Sequence, residues 1–165
     1  MDWIDEFSAA WAREYPDTDT TTLSPMTRLV RLGVLMDTFQ KETLEPFELT
    51  PGDYAVLSTL RRTGRPYQLS PSALYTTLER SSGGMTKMLK RLEGLGLIER
   101  VPDPEDGRST RVILTEPGLA LQEEIFKVFL SRTQELLHSV SPSRLREIDD
   151  SLRVLLEGIE SHFYR

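Results

Sequence analysis

The sequence contains no cysteine, which excludes disulfides, thiolate metal sites, cysteine nucleophiles and thiol redox switching. Histidine is almost as scarce. The two present, His138 and His162, both lie in the C-terminal quarter, so a histidine-rich metal centre or acid–base site is not expected. No uncharged apolar run approaches the roughly 20 residues that span a bilayer. The acidic start Met-Asp-Trp-Ile-Asp-Glu lacks the basic-then-apolar pattern of an export signal. A soluble, cytoplasmic protein without membrane contact is the expectation. Recognisable catalytic apparatus is missing too. Gly83-Gly84 is not followed by the Gly-Lys-Ser/Thr of a phosphate-binding loop. Asp103 to Gly107 is acidic, but lacks the alternate spacing and terminal glutamate of a calcium loop. We expect no enzyme, no metal and no cofactor.

What is present is a chain of 165 residues and 18.9 kDa, the size of one domain or one compact subunit of an oligomer. Apolar residues make up 38% and charged residues 28%, within the globular range. The net charge of −6 and pI near 5.0 argue against a nucleic-acid partner when taken whole. The charge is, however, segregated. Residues 61–111 hold ten Lys/Arg against six acids, a balance of +4, which leaves −10 on the flanks.

Proline and glycine divide the chain into capped segments. A first short helix, 2–15, carries Trp3, Phe7 and Trp11 four residues apart and leads into a polar connector. Ser24-Pro25 reads as the cap of a long helix to about Glu45. Its apolar residues Leu29, Leu32, Met36 and Phe39, widened by Val30, Val34 and Leu35, predict burial on more than one side. Thr50-Pro51, Ser70-Pro71 and Ser81-Ser82-Gly83-Gly84 open three short helices. In the third, Met85, Met88, Leu89, Leu92 and Leu95 form the apolar face, opposite Thr86, Lys87, Lys90, Arg91 and Gly94. The period then changes. Residues 97–101 and 110–114 are β-prone and flank a turn-rich loop, which predicts a hairpin. Thr115-Glu-Pro117 and Ser141-Pro142 open two further helices, 116–139 and one to the C-terminal end.

Three short helices and a hairpin, with positive charge on the third helix and the hairpin, make a winged helix-turn-helix. The fold class is mainly α with a small β wing. A helix fits the major groove of B-DNA, and its first turn offers unpaired N–H groups to phosphate. Gly83 and Gly84 permit close backbone approach, and Ser81 and Ser82 add hydroxyls. Lys87, Lys90 and Arg91 can share one exposed face. Arg108 at the hairpin tip can enter the minor groove, with Asp106 holding its guanidinium. The plainer alternative for the charged helix is a solvated surface.

The runs Ser81-Ser-Gly-Gly-Met-Thr-Lys-Met-Leu-Lys-Arg-Leu-Glu93, Gly96-Leu-Ile-Glu-Arg100, Asp103-Pro-Glu-Asp-Gly-Arg-Ser109 and Leu114-Thr-Glu-Pro-Gly118 carry a resemblance. Residues 25–164 resemble the MarR family of dimeric transcription regulators. The resemblance implies one subunit over 1–165: an extra N-terminal helix and connector (1–22), a DNA-binding lobe (50–115) and dimerisation helices (25–48 and 116–165). It implies a recognition helix, 82–95, in the major groove of a pseudo-palindromic operator, with Ser82, Thr86, Lys87, Lys90 and Arg91 facing the duplex. The wing, 102–109, would place Arg108 in the minor groove. Ser72, Ser81, Gly84 and Arg111 complete the expected DNA-binding set.

Ser-Ser-Gly-Gly-Met-Thr and the tryptophan-bearing N-terminal helix resemble the urate-responsive, PecS- and HucR-like branch of that family. The branch implies four polar effector ligands. Two match, at Trp11 and Arg100, whereas its Asp and recognition-helix Arg positions fall on Ala55 and Met88. An apolar pair there would leave the polar edge of urate unsatisfied. The expected effector pocket is Trp11, Met36, Ala55, Met88 and Arg100, for a ligand more apolar than urate or for none. Core packing is the competing role for Trp11 and Met88.

The expected function is therefore a homodimeric, sequence-specific DNA-binding regulator, with repression its expected mode and release by a small molecule its expected control. The terminal helices, at ~23 residues and about 35 Å each, exceed what one small lobe needs, which favours the homodimer. The alternative is a winged-helix protein–protein module that does not bind DNA.

Overall fold

A computed structural model describes residues 2–79, 82–103 and 109–164, excluding the side chain of Ser82. Its contacts divide into two compact units, residues 1–125 and 126–165.

The first unit opens with α1 (Trp3–Glu14), which Asp2 and Asp5 cap reciprocally. Helix α2 (Leu23–Leu44) begins one residue before the expected cap, with Thr22 as N-cap. Pro25 thus lies in the first turn, where its missing N–H is no loss. Ser24, inside the helix, accepts a hydrogen bond from Arg28 instead. The expectation that α2 is buried on more than one side fails for this chain. Only Thr43 and Leu44, at its C-terminal end, are fully buried, while Val30, Leu32, Val34 and Leu35 are exposed. The apolar stripe exists, but within the first unit those residues are left exposed among the described residues.

A 3-10 turn, Glu45–Phe47, leads through Glu48 in the left-handed region (φ 54°) to α3 (Pro51–Arg62). Then follow β1 (Gln68–Leu69), α4 (Pro71–Thr77), α5 (Ser82–Gly94), β2 (Ile98–Pro102) and β3 (Thr110–Leu114). Thr50 and Ser70 cap α3 and α4 as expected, each with a hydroxyl accepting from a backbone N–H three residues on. The hairpin gains a strand that the sequence pattern does not reveal. In the antiparallel order β1-β3-β2, Gln68 and Leu69 pair with Ile113 and Val112. Two residues are too short for a period-two signal; the strand is defined by its partner.

Val56, Leu57, Leu60, Leu74, Met85, Leu89, Leu92, Ile98 and Val112 form a buried apolar core beneath the helix-turn-helix. Leu95 does not join it. Helix α5 ends at Gly94, so Leu95 sits in the following turn and is exposed. Helix α6 (Glu116–Leu136) starts where Thr115 accepts from Gly118 N–H at 3.1 Å. Its buried residues are Gly118, Gln122 and Ile125.

The second unit holds the rest of α6 and α7 (Pro142–Phe163), capped by Ser141. None of its described residues is fully buried, and Phe126, Leu130, Leu152, Val154 and Leu156 are exposed.

Candidate nucleic-acid interface

The apolar positions of α5 seat it in the core and determine which face looks outward. Met85, Leu89 and Leu92 are buried, so Gly83, Gly84, Thr86, Lys87 and Lys90 fall on the exposed side. A side chain at Gly83 would meet nothing within 4 Å. The backbone at the start of the helix is therefore open to a close partner. Lys87 and Lys90 make no ion pair or hydrogen bond with the described residues. Two ammonium groups less than one turn apart then present a local positive surface to any phosphate array. Ser72 is exposed on α4, its hydroxyl 3.0 Å from that of Ser70.

The arginines behave differently from the lysines. Arg91 turns toward the start of α3, donating to the Asp53 carboxylate and, at 2.6 Å, to the Glu48 carbonyl. Asp53 is 2% exposed and also accepts from the backbone N–H and hydroxyl of Thr50, at 2.9 and 2.7 Å. Arg111 on β3 donates through Nε to buried Asp103 at 2.6 Å. That pair ties the residue just after β2 to β3. Arg100 on β2 lies 3.5 Å from Glu93. Sequence reasoning placed Arg91 and Arg111 among the DNA-facing cations and missed both partners. The Thr50–Asp53 capping-box spacing was a legible signal for Asp53 as a cap. Its partnership with Arg91, 38 residues away, was not.

Ser81, Asp106 and Arg108 lie outside the described residues, as does the side chain of Ser82. Of the expected effector set, Trp11 stacks on Tyr15 with ring centroids 5.6 Å apart. It lines a cavity of about 320 Å³ with Tyr15, Thr18, Asp19, Thr20, Thr22 and Leu23, none of them in the expected set. Met36 is exposed on α2, Ala55 is half-buried on α3, and Met88 is half-buried against Gly52. The Thr21 N–H holds the carboxyl of Asp19, in the lining of the Trp11 cavity, below its ordinary range. The Asp5 N–H and Arg28 hold the Asp2 carboxyl below its ordinary range, while Arg28 and the Asp2 N–H do so for Asp5. No helix among the described residues is long and apolar enough to cross a membrane.

Comparison with known proteins agrees with this fold. Residues 49–118 match the winged helix DNA-binding domain family. The HTH-type transcriptional regulator PecS of Dickeya dadantii (strain 3937) is 30% identical over 96% of this chain and 93% of its own. The multiple antibiotic resistance protein MarR of Escherichia coli (strain K12) is 29% identical over 80% of this chain and 91% of its own. A mutant MarR from E. coli, solved in complex with operator DNA, superposes with a TM-score of 0.68 at 28% identity. That match covers 80% of this chain and 94% of the other. AbsC, a MarR family transcriptional regulator from Streptomyces coelicolor, gives a TM-score of 0.73 at 25% identity, covering 87% and 97%.

Proposed function

The chain belongs to the MarR family of DNA-binding transcription regulators, and on that premise we propose that it acts as a homodimeric repressor of a pseudo-palindromic operator. Helix α5 enters the major groove, and the wing around Arg108 reaches the adjacent minor groove. The observation that carries this reading is the exposed Lys87–Lys90 face of α5, its ammonium groups without a partner among the described residues, beside the open backbone at Gly83. Two recognition helices related by a two-fold axis would read half-sites about 10 bp apart.

The homodimer is supported by the uncovered apolar residues of α2 and of the second unit. Val30 on α2 is 67% exposed in the single chain. A stripe this apolar, left in water, would be an aggregation liability. A second copy packed on it removes that liability. The acidic flanks, which carry −10 against +4 on residues 61–111, would limit non-specific adhesion to DNA while a small basic surface docks.

A small-molecule effector that releases the operator belongs to the same reading, with urate an unsuitable one. Ala55 and Met88 offer no hydrogen bond to its charged edge.

The test is direct. Genomic fragments captured by the protein are sequenced, and the recovered duplex is titrated at several salt concentrations. Affinity should fall steeply and log-linearly with salt, as several phosphate contacts require. Undetectable binding at low salt would refute the reading and leave a winged-helix interaction module. Urate added to the bound duplex should release none of it.

A further inference from the structure

Asp53 is an acid in the lobe that the proposed function turns toward DNA, and simple electrostatics would count it as a hindrance to binding. Its surroundings give it another part. One oxygen, Oδ2, collects three donors: the Thr50 N–H at 2.9 Å, the Thr50 hydroxyl at 2.7 Å and the Arg91 guanidinium. The Asp53 N–H returns a hydrogen bond to the Thr50 hydroxyl at 3.2 Å, closing a capping box at the start of α3. The second arm of Arg91 reaches the Glu48 carbonyl at 2.6 Å, where the backbone is held in the left-handed region at φ 54°. The start of α3 thus offers a guanidinium fork one buried carboxylate and one aimed carbonyl.

Arg91 lies one helical turn beyond Lys87 and directly follows Lys90. Met88, three residues before Arg91, packs on the same segment, where a Cβ on Gly52 would lie 2.6 Å from its Cε. Arg91 and Met88 therefore hold α5 against residues 48–53 by a polar and an apolar contact. Together they add to the buried Met85, Leu89 and Leu92 in fixing its rotation about its own axis. A helix free to roll would carry Lys87 and Lys90 away from the direction in which the core points them.

We propose that Asp53, through Arg91, is a positioning residue for sequence-specific DNA binding: the pair locks the roll of α5, and Arg91 serves as this anchor rather than as a phosphate contact. The proposal rests on the DNA-binding reading above, and one experiment separates their failures. The duplex recovered from the genome and a random duplex of equal length are titrated over a salt series. The proteins are the wild type, Asp53→Asn, Arg91→Lys, Arg91→Met and the Asp53→Asn/Arg91→Met double variant.

Positioning predicts that Asp53→Asn binds the selected duplex at least tenfold more weakly although it removes a negative charge. Its affinity for the random duplex should be unchanged or higher. Arg91→Lys, which keeps the charge but loses the fork, should not restore specific binding. The double variant should be no weaker than the weaker single one, since both remove one contact. Arg91→Met should keep the wild-type salt dependence on the random duplex.

Equal or tighter specific binding by Asp53→Asn would overturn the proposal. So would full affinity in Arg91→Lys, together with a salt slope lower by about 1 in Arg91→Met, the mark of a lost phosphate contact. Should Asp53→Asn fail to fold, Arg91→Lys decides alone, because it keeps a cation beside the buried Asp53 carboxylate and its side chain sits at a position 43% exposed. A wild type that binds neither duplex would instead overturn the DNA-binding reading, and this proposal with it.

Discussion

Replacing Gly118 by alanine should destabilise the protein through one contact whose geometry is explicit. A Cβ at this position would lie 1.9 Å from the Leu97 carbonyl oxygen, 2.9 Å from its carbonyl carbon and 3.3 Å from Leu114 Cδ2. A carbon and a carbonyl oxygen meet at about 3.3 Å, so the two backbones would have to part by roughly 1.4 Å. Neither can move freely. The Leu97 carbonyl accepts from Thr115 N–H at 3.2 Å, and the Thr115 hydroxyl donates to the Gly96 carbonyl at 2.6 Å while accepting from Gly118 N–H.

Overpacking costs about 1–3 kcal/mol and a lost cap about 1. The helix propensity of alanine returns about 1, which leaves a net loss of roughly 1–3 kcal/mol. For a chain of this length that lowers Tm by about 2–12 °C. Denaturant and thermal unfolding followed by circular dichroism would measure it. Gly158→Ala in α7 is the control, since a Cβ there meets nothing within 4 Å. Wild-type stability in Gly118→Ala would show that the junction of Leu97 and α6 yields, and would refute the reasoning.

Other expectations follow from the same contacts. Lys87→Ala or Arg108→Ala should weaken the selected duplex severalfold or more and lower the salt slope by about 1; an unchanged slope would mean that the removed cation touches no phosphate. Val30→Asp adds a carboxylate to a side chain exposed in the single chain but covered in the proposed dimer. Sedimentation should then report one-subunit mass for this variant and twice that for the wild type, and an intact dimer would place the interface elsewhere. Arg28 Nη2 lies 3.0 Å from Asp2 and 2.7 Å from Asp5, tying α1 to α2. Both carboxyls titrate below their ordinary range when folded. Their contribution is therefore complete above about pH 4 and lost as pH falls through the depressed values. Fluorescence of Trp3 and Trp11 should report that acid transition, and Arg28→Met should move it to higher pH. An identical acid limb in both proteins would remove the link from the account.

Much of this molecule was legible in one dimension. Thr50-Pro51, Ser70-Pro71 and Ser141-Pro142 are local signals, and each begins a helix with its cap in place. The period change after Gly96 marks the hairpin for the same reason, since alternation depends only on neighbours in the chain. Less legible were features defined by a distant partner. Strand β1 is too short to be recognised without β3. Leu95 matches the apolar spacing of α5 but lies beyond its last turn. The stripe on α2 promised burial, yet Val30, Leu32, Val34 and Leu35 in its middle are exposed among the described residues.

The candidate interface divides along the same line. Local patterning alone determined that α5 would carry Lys87, Lys90 and Arg91 opposite a face of Met85, Leu89 and Leu92, because helical period and side-chain polarity are properties of adjacent residues. The absence of cysteine removed thiol chemistry on composition alone. Only the tertiary structure decided which of the described cations have an acidic partner. It leaves Lys87 and Lys90 in the open and draws Arg91 to Asp53 and Arg111 to Asp103. The physical reason is that a buried carboxylate must find its counter-charge in space, and Asp53 finds it 38 residues along the chain.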